Sequence, residues 1–442
     1  MVTLQRWAAR ATLALTFALA PMIAAAQTLV RDAEIEYALQ QVAQPILQAA
    51  GLPSSTRIFV ILDSSLNAFV VDNKSIFFHS GLLLKLDTPA KVQAVIAHEA
   101  AHITGGHITR RMTNLESARN AANLGIALAA IAAVSGSPEA AHGIALGSVS
   151  TAQRNFLSHT RAEEASADQS GVRYLSQAGI PPSAMRDVLD IFRGQEALSA
   201  GRQDPYLRSH PLTRDRLRAL DGFITAYTRG SAIPTDITYW YERLRGKLSA
   251  YTRSPKWTLS RLNSAQKNDV YYLRQTVAFH RQSRTKEALT AIDKAIAQRP
   301  NDPYLYDMKA QILIETRAFS AAATTYSKAA SLAPNNSLLL AGLGRAYLAN
   351  GQISKARSTL ERARAADYRN AALLRDLAVA YAKTNAPGMA ALVTAERYAL
   401  LGRMDDAGLH AKRATALLGT GTGPWQRAQD VLIASERAAK RR

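Results

Sequence analysis

Apolar positions along residues 33–79 follow first a helical and then an extended pattern. From Ala33 to Ala50 the periodicity is helical, and it stops at Gly51-Leu52-Pro53. Short runs rich in β-formers follow and predict three strands: Arg57–Leu62, Asn67–Val71 and Ser75–His79. Asp72-Asn73-Lys74 suits the turn of a hairpin between the last two. The pattern therefore predicts a helix followed by a small sheet.

Helical patterns resume after the predicted sheet. One begins at Thr88-Pro89, a favourable helix start, and ends near Gly105-Gly106. Residues 121–134 are apolar nearly all round, but this stretch is too short to cross a bilayer, so it predicts a buried or surface-dipping helical hairpin. A further helix is predicted from about Ser158 to Ala178, before Gly179-Ile180-Pro181-Pro182.

The C-terminal part of the chain repeats itself. Pro300 and Pro334 are 34 residues apart, which is the period of tetratricopeptide helix pairs. Small and bulky positions recur in the same register: Ala288, Ala322 and Ala356; Ala295, Ala329 and Ala363; Phe279, Leu313 and Tyr347. A fourth unit begins at Leu374, but Pro387-Gly388 is predicted to interrupt it, and a displaced unit resumes near Tyr398. Three sound repeats are about the minimum for a stable solenoid.

These patterns predict an α+β, mostly helical protein in which a domain with a small β-sheet precedes an all-helical repeat array. The predicted boundaries are 1–26 for a signal peptide, 27–225 for the first domain, 226–267 for a helical connector and 268–442 for the repeats. At 442 residues the chain is long enough for two or three domains.

The first 26 residues have the features of a secretory signal. Arg6 and Arg10 precede an apolar stretch from Ala11 to Ala20, and Ala24-Ala25-Ala26 provides a cleavage site before Gln27. An uncleaved anchor helix is the alternative, but the apolar stretch is shorter than the ~20 residues that span a bilayer. The sequence therefore predicts an exported protein that works outside the cytoplasm.

Composition narrows the chemistry. The chain contains no cysteine, so a metal site must use histidines and carboxylates. Residues 1–26 contain two arginines and no acid, so their removal lowers the formal charge from +20 to +18. Such a charge favours anionic partners, including a membrane surface. Export and the lack of a binding motif argue against nucleic acid.

His98-Glu99-Ala100-Ala101-His102 carries the clearest chemistry in the sequence. The two histidines are four residues apart, so they lie on one face of a helix and can bind one zinc ion together. Glu99 is placed to act on a metal-bound water, as in zinc metallopeptidases. Alternatively, the two histidines face solvent or cap polar groups, and a third ligand would decide between the two interpretations.

Two positions are candidates for that ligand. His107 follows His98 by nine residues, whereas the elongated form of the motif places its third histidine ten residues along. Glu164 is favoured over His107, and over its neighbour Glu163, because Asp168 follows it by four residues on the same helix face. Asp168 is then spaced to accept a hydrogen bond from a ligand histidine. An exposed acidic helix start remains the alternative.

The sequence resembles the HtpX-like and prenyl-protease-like zinc metallopeptidases, particularly the periplasmic branch with a tetratricopeptide tail. Four ordered blocks over nearly the whole mature chain carry the resemblance: Asn67-Ala68-Phe69 with Ile76–Leu83; His98–His102; Arg161 with Glu164 and Asp168; and Ser209-His210-Pro211-Leu212 with Arg214 and Arg216. Ser166 departs from the pattern, because the family commonly has a glutamate there.

The resemblance implies one zinc ion per chain, bound by His98, His102 and Glu164, with Glu99 as the general base. It places His210 near the metal, where it either stabilises the oxyanion or caps the zinc in a resting state. A helix-capping or turn role before Pro211 is the alternative for His210. Substrates would lie extended along an edge strand, and the strand at Ser75–His79 is the predicted one.

The resemblance also implies a function and its partners. The expected activity is endopeptidase cleavage of misfolded or misassembled outer-membrane proteins, with chaperone-like assistance of their assembly. The repeats are expected to bind such polypeptides or the outer-membrane assembly machinery. The competing hypothesis is a non-catalytic interaction scaffold with a capped or vestigial zinc site. An intact ligand set beside Glu99 favours the enzyme.

Overall fold

The computed structural model describes residues 29–110, 113, 160–199, 202–227, 234–262 and 267–440. The described residues form two compact units: strand 29–30 and the described residues of 45–227 lie in the first, and residues 31–44 with the described residues of 234–440 in the second. The predicted signal peptide and the predicted hairpin at 121–134 lie outside the described residues. The four domain boundaries predicted from the sequence stay predictions, and nothing in the pattern indicated that residues 31–44 belong to the second unit.

A four-stranded sheet and a set of helices build the first unit. The strands are β1 (Leu29–Val30), β2 (Arg57–Ile61), β3 (Ala68–Asp72) and β4 (Ser75–His79). The helices are α1 (Ala33–Ala49, shared with the second unit), α2 (Ser80–Lys85), α3 (Pro89–Thr104), α4 (160–177), α5 (Ser183–Asp190), α6 (Pro205–Ser209) and α7 (Arg214–Tyr227). The three predicted strands are confirmed to within one residue at each end, and β1 is an additional two-residue strand.

The sheet has the order β1-β2-β4-β3. Strands β3 and β4 form the predicted antiparallel hairpin, and the side chain of Asp72 accepts a hydrogen bond from the amide of Lys74 in its turn. Strand β4 also pairs with β2, in parallel. Because β4 is paired on both sides, it lies inside the sheet. Among the described strands, β3 forms one edge of the sheet. The prediction that Ser75–His79 is the edge strand is therefore wrong, because that strand is paired on both sides.

Helix α3 is the buried centre of the first unit. Thr88 caps its first turn by accepting a hydrogen bond from the amide of Lys91, and Pro89 occupies the first helical position, where no amide proton is needed. Its residues from Val92 to His102 are all buried. Burial of polar residues such as His98 and Glu99 is costly without polar partners. Their burial therefore indicates a functional site around this part of α3.

The second unit is entirely helical in its described part. Helices α8 (Thr235–Thr252) and α9 (Pro255–Ser260) precede five antiparallel pairs. The pairs are α10 (Asp269–His280) with α11 (Thr285–Gln298), α12 (Pro303–Glu315) with α13 (Phe319–Leu332), α14 (Ser337–Ala349) with α15 (Ile353–Ala366), α16 (Ala371–Lys383) with α17 (Pro387–Leu400), and α18 (Met404–Leu417) with α19 (Gly423–Ala439).

The 34-residue period continues through the fourth pair. Helices α10, α12, α14 and α16 begin at residues 269, 303, 337 and 371. The preceding residue caps each one with a side-chain oxygen: Asn268, Asp302, Asn336 and Asn370. The predicted interruption at Pro387-Gly388 is wrong, because Pro387 begins α17 in register instead of breaking a helix. The predicted small positions, such as Ala322 and Ala329, are fully buried.

An ionic cluster holds residues 31–44 to the repeats. The buried guanidinium of Arg243 on α8 contacts carboxylates of Glu34, Asp269 and Asp302. Lys247, one turn later, lies 3.1 Å from Glu34. Loss of one partner from such a cluster leaves a buried charge uncompensated. The mostly helical α+β fold with a small sheet, followed by all-helical repeats, is confirmed.

Candidate metal centre

Helix α3 presents His98, Glu99 and His102 to one buried region of the first unit. The two histidines are each 2% exposed and Glu99 is fully buried. Four residues separate the histidines, so their rings project from the same side of the helix. Their Nε2 atoms are 3.1 Å apart, which means that both rings aim at one point.

Helix α4 crosses α3 at the first histidine. At Gly171 a Cβ atom would lie 3.4 Å from the amide nitrogen of His98 and 2.7 Å from the methyl group of Met185. A Cβ atom here would be in ordinary van der Waals contact with the backbone of α3 and would displace only the flexible end of Met185. The crossing brings two carboxylates of α4, those of Glu164 and Asp168, to the histidines.

The predicted ligand atoms have the spacing of a tetrahedral zinc site. One Glu164 oxygen lies 3.2 Å from Nε2 of His98, and the other lies 3.4 Å from Nε2 of His102. Zinc ligands about 2.0–2.1 Å from the ion stand roughly 3.3 Å apart in a tetrahedron. The donor set therefore fits one ion of that size.

His210, in the loop after α6, adds a fourth donor. Its Nδ1 lies 3.2 Å from Nε2 of His98 and 3.0 Å from an oxygen of Glu164. Ligand atoms of four buried residues, these three and His102, all lie within 4.8 Å of one another. Nδ1 of His210 could therefore serve as a fourth donor beside the three predicted ligands.

The pKa values of the cluster reflect its mutual contacts. Burial alone would raise the pKa of Glu164, but His210, His98 and Arg216 outweigh it and hold that pKa well below its usual range. Burial opposes protonation of His98, but Asp168 and Glu164 raise its pKa to about 9. A metal ion must therefore displace a proton from His98 in order to bind.

Arg216 on α7 organises the carboxylates around the site. Its Nε and Nη2 donate to the two oxygens of Asp168 at 2.6 and 2.9 Å, and its Nη1 lies 3.1 Å from Glu164. The same Nη1 donates to the carbonyl of His210 at 3.3 Å. Arg216 thus joins α4 to the loop that carries His210. Asp168 in turn lies 3.1 Å from Nδ1 of His98, the nitrogen that faces away from the cluster.

Glu99 differs from its neighbours because neither carboxylate oxygen has a hydrogen-bond partner among the described residues. Nε2 of His210 lies 3.4 Å from its Oε1, a separation too long for a strong bond. A fully buried carboxylate without partners is costly. An orphaned acid at a convergent donor set fits a site that receives a metal ion together with water.

A cavity of about 300 Å³ opens beside Glu99. Strand β3 forms one wall through Phe69, Val70 and Val71, and His102, His107, Ile108, Ser209 and His210 form the rest. The edge strand and the buried acid therefore share one cleft. An extended chain lying along β3 would pass the candidate metal centre.

The structure brings together all six site residues predicted from the sequence: His98, Glu99, His102, Glu164, Asp168 and His210. Their roles stay predictions. Glu163, the competitor of Glu164, lies 3.9 Å from Arg110 and is not among the four converging residues. His107, the other candidate ligand, contacts the far side of the His102 ring. Sequence reasoning gave Arg216 no role beyond its place in a motif, because its contacts with Asp168 span 48 positions.

The first unit is thus built as a metallopeptidase-type domain, with a histidine-glutamate helix, a crossing acidic helix and an edge strand. The sequence model of peptidase family M48 matches residues 31–224, and that of the tetratricopeptide repeat matches residues 313–378. The chain therefore carries a peptidase family M48 domain followed by C-terminal tetratricopeptide repeats. The family match supports the predicted metalloprotease class and implies a metal ion.

Curated relatives give the same assignment. The beta-barrel assembly-enhancing protease of Escherichia coli K12 is 28% identical over 39% of this chain and 35% of its own length. The protein of that name from Yersinia pestis is 24% identical over 63% of this chain and 57% of its own. Metalloprotease LoiP of Escherichia coli K12 is 30% identical over 38% of this chain and 61% of its own. The chain thus spans from a third to three fifths of these relatives.

Among the described residues, no helix is both long and apolar enough to cross a membrane. This result covers the part of the chain from residue 29 onward that the structure describes.

Proposed function

We propose that this chain is a periplasmic zinc metalloendopeptidase that degrades misfolded or misassembled outer-membrane proteins and assists their assembly. The observation that carries the proposal is the convergence of His98, His102 and Glu164 beside the orphaned carboxylate of Glu99. A purely structural metal site has no need for an additional buried acid without a hydrogen bond next to its ligands. The secretory pattern of residues 1–26 and the names of the relatives support the location and the substrate class.

Each residue of the site has a separate role in the proposed peptide hydrolysis: metal binding, proton transfer or orientation of a ligand. His98, His102 and Glu164 would hold one zinc ion, which supplies Lewis-acid activation of water and of the peptide carbonyl. Glu99 accepts the proton of the attacking water and returns it to the leaving amine, because its carboxylate has no other partner to release first. Asp168 and Arg216 fix the orientation of His98 and Glu164.

His210 lies where it could cap the metal. Its Nδ1 is 3.2 Å from Nε2 of His98 and 3.0 Å from an oxygen of Glu164, so a resting form capped by His210 would have to open before hydrolysis. Its Nε2 faces Glu99 at 3.4 Å. An imidazole beside the candidate ligands could also donate a hydrogen bond to a developing oxyanion.

The position of His210 also favours a second candidate function, a non-catalytic scaffold. In that case the histidine would cap the metal permanently, and the repeats would carry the activity by binding polypeptides or the outer-membrane assembly machinery. The two functions differ in one measurable respect, because only the enzyme cleaves polypeptide chains.

Metal removal is the experiment that tests the proposed function. Purified protein without residues 1–26 should cleave an unfolded outer-membrane protein, lose that activity on dialysis against a chelator, and recover it with about one equivalent of zinc per chain. Magnesium should not restore activity, because imidazole ligands discriminate against it. A protein that holds one zinc and binds the substrate, but never cleaves it, would establish the scaffold.

Substrate binding along β3 predicts the effect of Val70→Pro. The amide of His79 donates to the carbonyl of Asn67, which makes these two residues a hydrogen-bonded pair. In an antiparallel ladder, hydrogen-bonded and non-hydrogen-bonded pairs alternate, so Val70 and Ile76 form a non-hydrogen-bonded pair. The backbone amide of Val70 therefore points away from β4, on the side of the cleft. Proline removes that donor, and edge strands tolerate it. Loss of one backbone hydrogen bond to substrate should lower kcat/KM about 10-fold with zinc content unchanged. Val70→Ala keeps the amide and should stay within about 3-fold of the unchanged protein, and equal losses in both variants would argue against strand pairing.

A further inference from the structure

His107 lies against the candidate ligand His102 on the side away from the metal cluster. Nδ1 of His107 is 2.9 Å from Nδ1 of His102, and the ring of His107 is 2% exposed. The two rings meet edge to face, with centroids 4.9 Å apart and an angle of 76° between their planes. This contact therefore has the distance of a hydrogen bond and lies in a buried environment.

The tautomers of both rings follow from the direction of the ligand atom. Nε2 of His102 faces the cluster, 3.1 Å from Nε2 of His98 and 3.4 Å from an oxygen of Glu164. A nitrogen that binds a metal must offer its lone pair, so the proton of His102 is on Nδ1. Nδ1 of His107 is then the acceptor, and His107 carries its own proton on Nε2.

The break at the end of α3 explains how His107 reaches this position. The helix ends at Thr104, and Gly106 adopts a positive φ of 66° that turns the chain before residues 107–110 form another helical turn. A Cβ atom at Gly105 would lie 2.5 Å from Nε2 of His107. The ring therefore occupies the space that a side chain at 105 would fill. On a continuous helix His107 would point elsewhere.

We propose that His107 is a positioning residue that fixes the ring orientation and the protonated nitrogen of His102 by accepting its Nδ1 hydrogen bond. This inference rests on the proposed function only in taking His102 as a metal ligand. It gives each ligand histidine its own partner: the carboxylate of Asp168 for His98 and a neutral imidazole for His102. Loss of this acceptor would remove a buried hydrogen bond from the Nδ1–H of His102 and would weaken the constraint on the direction of its ring.

Two variants of the full chain separate this role from its alternatives. His107→Leu has a similar size but no acceptor, and it should bind zinc about 10–100-fold more weakly in a chelator competition. His107→Asn places its Oδ1 near the former Nδ1 and should restore the affinity to within about 3-fold. The visible absorption spectrum of the cobalt-substituted His107→Asn protein should match that of the unchanged protein, because the ligand set is the same.

The results that would overturn the proposal are specific. Wild-type zinc affinity in His107→Leu would show that the contact is without effect. An Asn variant as weak as the Leu variant, with an altered cobalt spectrum, would make His107 a direct ligand. As a control, the melting temperatures of the metal-free variants should be equal, which shows that a change in zinc affinity is not caused by a folding defect. Because these measurements report metal binding, they hold or fail separately from proteolysis.

Discussion

Glu99→Gln should reduce peptide cleavage by about 1,000-fold while leaving one zinc ion bound per chain. General base catalysis contributes roughly 10²–10⁴-fold, and no other carboxylate among the described residues is placed to replace it. Asp168 is engaged by Arg216 and His98, and Glu164 is directed at the ligand nitrogens. The measurement is kcat for an unfolded polypeptide beside the zinc content of the same preparation.

The amide substitution suits this site because it changes charge with almost no change of shape. Glu99 lies outside the four converging residues, so its loss as a base should leave the metal in place. Glu99→Asp is the graded control: it keeps the acid but shortens it by one methylene, and it should retain more activity than Gln. Full activity in Glu99→Gln would remove Glu99 from the mechanism, whereas loss of zinc would give it a structural role.

The parts of the site that the sequence could predict are those set by local periodicity. His98, Glu99 and His102 are fixed by the 3.6-residue turn of a single helix, and Glu164 with Asp168 by the turn of another. Local spacing cannot tell which two helices cross. Gly171 lies where the two helices meet, but glycine has many other uses and does not by itself predict a crossing.

His107 and Arg216 show where such reasoning stops. Counting residues along a continuous helix placed His107 one position away from the expected third histidine, but Gly105-Gly106 ends the helix, so the count no longer applies. Arg216 acts through contacts with α4 that are set by tertiary packing alone. The edge strand was misassigned for a similar reason, because strand order depends on the parallel pairing of β2 with β4 and cannot be read from strand positions.

The fold of the repeats could be predicted more completely than the site, because the same sequence signals recur in each helix pair. Each helix pair carries its own cap and its own small positions, so three units suffice to establish the register. The one error arose from treating Pro387 as a helix breaker. At the first position of α17 its fixed φ and missing amide are both compatible with the helix. A proline in phase with the repeat thus marks a helix start, whereas the same residue out of phase would mark a break.

Glu164→Gln and Glu163→Gln form a matched pair that should separate a ligand from its neighbour. Glu164→Gln removes an anionic donor that contacts His98, His102 and His210. Its zinc affinity should fall by more than the roughly 10–100-fold that loss of a ligand's hydrogen-bonding partner costs. Activity should be lost with the metal. Competition with a chelator measures the affinity, and the circular dichroism spectrum checks the fold.

Glu163→Gln makes the same chemical change one residue earlier in the chain. Its carboxylate lies 3.9 Å from Arg110 and outside the converging set, so zinc binding should remain within about 3-fold of the unchanged protein. If the two variants lost zinc equally, the acidic helix would act through its overall charge and not through one ligand. If only Glu163→Gln lost it, the ligand assignment would move by one residue. The expected outcome, loss in Glu164→Gln alone, requires that the direction of each side chain from α4 decides which acid binds the metal.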